Sequence, residues 1–92
     1  MPAGEAAVCE SEVSAGPGGA MTVEVGVITG DLTVRTARRP DRLVDVAVQY
    51  TSADEWYALT GSPATVPDGA IQDFHAAVLA AVERGGGAEV PR

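Results

Sequence analysis

The sequence predicts an α+β fold, a four-stranded antiparallel meander sheet with one C-terminal amphipathic helix packed on one face, in the order ββββα. Three observations predict it. From residue 21 onward apolar and polar residues alternate in short runs separated by turn residues, the period of half-buried strands. After Pro67 the apolar spacing changes to that of a helix. The chain has 92 residues, room for one small domain, and a chain of this size buries only about 60% of the surface its unfolded form exposes.

The first strand is expected around Val23, Val25 and Val27 and the second around Leu32, Val34 and Thr36, joined at Gly30-Asp31. Glycine supplies the positive φ that a two-residue II′ turn needs at its first position. Such a turn pairs Thr29 with Leu32, Val27 with Val34 and Val25 with Thr36, so the β-branched residues share one face. Arg39-Pro40-Asp41 breaks the run, because proline cannot donate to a ladder. The third strand is expected over Leu43 to Tyr50, with Val44, Val46, Val48 and Tyr50 on the sheltered face.

A fourth strand is expected between Glu55 and Thr60, after a turn at Ser52-Ala53-Asp54. Loop parity decides its faces. A two- or four-residue loop places Tyr57 and Leu59 beside the valines and Trp56 outside, and a three-residue loop reverses this; the first arrangement buries the larger pair and is preferred. A helical reading of residues 52–60 stays open, since Ser52 stands three residues before Glu55 as in a capping box. With Val23-Glu24-Val25, Val34-Arg35 and Ser52-Ala53-Asp54-Glu55-Trp56, residues 23 to 61 resemble small bacterial domains of unknown function of the DUF397 type. That resemblance implies a regulatory setting beside helix-turn-helix proteins. It covers less than half of the chain, and Thr36-Ala37 departs from its pattern.

The helix is expected between Pro67 and Gly85, with Ile71, Phe74, Val78 and Val82 as its apolar stripe and His75 and Leu79 at the margin. Thr65 and Asp68 offer a capping box at its start, and Gly85 a left-handed stop. Residues 1 to 20 are rich in Ala, Gly, Ser, Glu and Pro, a composition that cannot offset the entropy of ordering, and are expected as a disordered head. Met21 is an alternative translation start. The single domain is then residues 21 to 85, with residues 86 to 92 a frayed tail.

Function classes are narrowed mainly by exclusion. Net charge is −7, with thirteen acidic and six basic residues, all of them Arg, which opposes nucleic acid and anionic membranes. The absence of Lys and the wealth of Ala, Val and Gly match coding in a GC-rich bacterial genome. Cys9 alone cannot form an internal disulfide, and His75 has no cysteine near it in sequence, so no metal site or cofactor is expected and a reducing cytoplasm is the expected compartment. Acidic residues near the N-terminus do not suit a signal peptide, and no run suits a membrane span. Gly16-Pro17-Gly18-Gly19 lacks the Lys-Ser/Thr of a phosphate loop, and the adjacent pair Asp54-Glu55 faces opposite ways on a strand.

The expectation is a non-enzymatic interaction or regulatory module whose partner is another protein or a second copy in a homodimer. Its candidate residues are Arg35, Arg38, Arg39 and Arg42, clustered near one turn, and Trp56. The alternative is single-stranded nucleic-acid binding, because the element order looks like that of PC4- and Whirly-type domains.

Overall fold

The computed structural model describes residues 7–67 and 70–91. Seven strands precede one helix: β1 (Val8–Ser14), β2 (Ala20–Thr22), β3 (Gly26–Ile28), β4 (Asp31–Arg38), β5 (Leu43–Tyr50), β6 (Tyr57–Ala58), β7 (Ala64–Thr65) and α1 (Ile71–Arg84). The main sheet is antiparallel in the order β1-β4-β5-β6, with β7 also paired to β5, and β2-β3 form a separate hairpin. The α+β class with one C-terminal helix is therefore as expected, and β4-β5-β6 is the meander.

The largest correction concerns residues 7 to 20 of the expected disordered head, whose residues 1–6 lie outside the described residues. Val8–Ser14 is a regular strand in continuous register with β4, from Val8 opposite Ala37 to Ser14 opposite Asp31. Its inward residues Cys9, Ser11 and Val13 are small, so β1 gains order from the ladder and from the helix above it rather than from a large apolar payload. Residues 16 to 19 are likewise in place: Gly16 N–H donates to Val82 O at 3.0 Å, satisfying a carbonyl in the last turn of α1. Gly86, Gly87 and Ala88 then donate to the carbonyls of Pro17, Gly18 and Gly19. Residues 86–91 are thus no frayed end either, Arg92 lying outside the described residues, and Ala88 and Val90 are buried.

The hairpin expected across Gly30-Asp31 does not form. Thr22 Oγ1 donates to Gly26 O at 2.6 Å and accepts from Val25 N–H at 3.1 Å, closing a turn at residues 23–25 that returns β3 onto β2. Three residues remain in β3, too few to partner the eight of β4, which pairs with β1 and β5 instead. Val23, Val25 and Val27, expected on the buried face, are consequently exposed.

β5 spans the expected residues and buries Val44, Val46 and Val48, whereas Tyr50 lies exposed at its end. Its far edge is shared. Val48 pairs with Tyr57 and Val44 with Ala64, and between these short strands Val46 N–H donates to Ser62 Oγ at 2.9 Å. Residues 52–56 are a turn and irregular chain rather than the start of a helix, with Ser52 at φ 74°.

α1 begins at Ile71 after Ala70, which gives no side-chain cap; Thr65 belongs to β7, and Asp68 lies outside the described residues. Asp73 in the first turn and Arg84 in the last complement the helix dipole, and Gly85 ends the helix at φ 78° and ψ −142°, a conformation open to glycine but not the left-handed helical one expected. Ile71, His75, Val78, Ala81 and Val82 are buried, so His75 sits in the stripe and Phe74 at its margin, the reverse of the expectation. The core between helix and sheet is built from Leu32, Val34, Val44, Val46, Val48, Leu59, Val78 and Val82, with Ala20 and Ile28 joining from the hairpin.

Candidate interaction surface

Side-chain alternation leaves one face of the main sheet away from α1, carrying Glu10, Glu12, Thr33, Arg35, Ala37, Asp45, Ala47 and Gln49. Tyr57 lies opposite Val48 on the helix side, which turns the preceding Trp56 to the outer face, the preferred parity. Trp56 is half-buried there, and the guanidinium of Arg35 lies 6.0 Å from its ring centroid, a cation–π distance. Arg35, Ala37, Asp45, Ala47 and Trp56 line a shallow depression of about 330 Å³. Tryptophan and Arg35 were expected as candidates separately; the structure brings them together.

The other arginines do not join that patch. Alternation sends Arg38 to the opposite side from Arg35, where Nη1 donates to Val66 O at 3.0 Å and Nη2 to Pro67 O at 3.0 Å. It thereby holds the chain just ahead of the helix against the β4-β5 turn. Arg39 pairs with Asp41 of its own turn at 3.0 Å and with Asp45 of β5 at 3.5 Å. Arg42 occupies that turn at φ 73°. Strand parity thus separates Arg35 from Arg38, and Arg39 and Arg42 belong to the turn beyond β4.

Beside β6 stands the turn of the β2-β3 hairpin. Val23 N–H donates to Ala58 O at 2.9 Å, and the Glu24 carboxylate accepts from Ala58 N–H at 2.9 Å. This fixes the exposed Val23 and Val25 next to the strand that Trp56 leads into. Tyr57 donates its hydroxyl to Glu55 at 3.1 Å, and that bond, with some burial and nearby carboxylates, raises the phenol above its ordinary value.

On the helix side His75 lies between two hydroxyls: Nδ1 is 2.8 Å from Thr36 Oγ1 and Nε2 is 3.0 Å from Ser11 Oγ. One ring nitrogen donates and the other accepts, so α1, β4 and β1 are tied at one point. Burial holds the imidazole below its ordinary pKa. Thr36 occupies the place where a hydrolytic triad would carry its orienting carboxylate. Among the described residues no three His, Cys, Asp or Glu side chains are grouped to hold a metal ion, and no helix is long and apolar enough to cross a membrane.

Sequence reasoning missed the hydroxyl partners of His75 and the exposed valines at residues 23 and 25. Ser11 and Thr36 are 64 and 39 positions from His75, beyond any local signal. No protein-family model, no curated protein and no solved structure matches this chain.

Proposed function

We propose that this chain is a small non-enzymatic interaction module that self-associates through the outer face of its sheet around Trp56. The observation that carries the reading is a half-buried tryptophan stacked with Arg35 on the face that the single helix leaves uncovered. Aromatic and arginine side chains are the groups that most often dominate interface energetics. The depression also carries both signs of charge, Arg35 and Asp45, as a self-complementary two-fold contact can use. Val23 and Val25 beside β6 add exposed aliphatic surface at its margin.

Single-stranded nucleic-acid binding ranks second. Arg38 donates to backbone carbonyls and Arg39 is offset by two aspartates, which leaves less of the cluster to contact phosphates and release counterions. Glu10 and Glu12 stand on the same outer face as Arg35. Mixed-sequence single strands should not bind measurably at physiological salt. Salt-sensitive micromolar binding, lost in an Arg35→Ala variant, would reverse the ranking.

Sedimentation equilibrium of wild type and Trp56→Ser tests the first reading. The wild type should approach dimer mass at tens of micromolar and the variant should remain monomeric with unchanged circular dichroism. A monomeric wild type at that concentration contradicts the proposal.

A further inference from the structure

β1 forms one edge of the main sheet. Arg38 N–H donates to Ala7 O and Ala15 N–H to Gly30 O, both at 2.9 Å, which sets the alternation of the β1-β4 ladder. The N–H and C=O groups of Val8, Glu10, Glu12 and Ser14 therefore point away from β4, and among the described residues no strand lies against them. The edge is long and regular, seven residues without proline, lysine or bulge. What marks it is negative charge on alternate residues.

That charge argues against a second copy as the occupant. An antiparallel copy centred on Ser11 sets Glu10 opposite Glu12, and one centred on either glutamate sets it opposite itself; like charges in these positions destabilise pairing. The carboxylates continue around the strand. Glu12, Asp31 and Glu83 line a depression of about 380 Å³ at its C-terminal end. Glu10 and Glu12 line another of about 330 Å³ with Thr33, Gln49 and Thr51. Arg35 Nε reaches Glu10 only at 4.0 Å, with both side chains about half exposed.

We propose that β1 is a docking edge for an extended basic peptide segment, which adds to the sheet as a further strand with Arg or Lys opposite Glu10 and Glu12. Backbone pairing would supply affinity and the two glutamates the preference for cations, the division of labour in strand addition. This edge is distinct from the Trp56 depression, and the proposal stands whether or not the chain self-associates.

The test is a fluorescence-anisotropy titration of the full chain with a labelled peptide of alternating Arg and Val, as long as the seven residues of β1. Two control peptides accompany it, one of alternating Glu and Val and one of Arg and Val with N-methyl groups on the edge that would face β1. The Arg-Val peptide should bind with micromolar affinity at low ionic strength and the Glu-Val peptide should not. N-methylation, or a Glu10→Gln/Glu12→Gln variant that keeps the wild-type circular dichroism, should weaken binding about tenfold or more. Hydrogen exchange should slow at the amides of Glu10 and Glu12, and Trp56→Ser should bind the peptide as the wild type does. Equal affinity for the N-methylated peptide would reduce the effect to bulk electrostatics and overturn the proposal. Absence of binding, or protection elsewhere than β1, would overturn it equally.

Discussion

His75 joins the helix to two strands through Ser11 and Thr36, and this tie titrates. Because burial lowers its folded pKa, the unfolded chain takes up the proton at higher pH. The stability contributed by the neutral ring is complete above the unfolded value of about 6.5 and is lost as pH falls through the lower folded value. Urea midpoints should therefore decline as pH falls below about 6.5, and His75→Gln should remove that component of the decline; a flat wild-type profile would contradict the assignment. Gly16 is a second residue whose role is local and testable. A Cβ there would collide with the backbone carbonyl of Glu83, so Gly16→Ala should cost about 1–3 kcal/mol in urea unfolding, and a change under about 0.5 kcal/mol would show that the segment yields. Neither role was legible in the sequence. Glycine composition is the same in a loose tail and in a close backbone approach, and only the helix end, far along the chain, separates them.

Among the elements, β1 decides most. Removing residues 1–19 would strip Ser11 from His75, bare the edge of β4 and uncover the part of α1 that rests on β1. Such a truncation should abolish the cooperative thermal transition or lower its midpoint by ten degrees or more, since a loss of 1 kcal/mol already moves a domain of this size by about 4–8 °C. A midpoint equal to that of the full chain would show β1 to be dispensable. The elements that were legible are those with strong periods and long runs: Leu43–Tyr50 alternates through three buried valines, and the stripe from Ile71 to Val82 repeats over several turns. β1 was not, because its inward residues Cys9, Ser11 and Val13 give only a weak apolar signal. Val23 and Val25 gave a strong signal that belongs to a turn, where Thr22 and Gly26 redirect the chain, and Val27 is the exposed residue of the short β3 that follows. The stop at Gly85 was legible from its chemistry, and the start at Ile71 was not, because no side chain caps it.

For the whole molecule, one helix on a five-stranded sheet covers one face and leaves the other to solvent or to a partner. The outer position of Trp56 followed from strand parity, whereas the arginine group did not survive it, since Arg35 and Arg38 lie on opposite faces of β4. Arg38→Met should accordingly reduce thermal stability, by loss of the bonds to Val66 and Pro67, while leaving self-association per folded molecule unchanged. A dimer weakened by Arg38→Met with no loss of stability would place that residue in the interface instead. Trp56 is the only tryptophan of the chain, so its emission reports on the proposed interface without a label. The most direct test is its emission maximum and acrylamide quenching measured from submicromolar to tens of micromolar protein. A blue shift and reduced quenching are expected over the concentrations at which sedimentation detects the dimer; emission and quenching that do not change across that range would contradict an interface centred on Trp56.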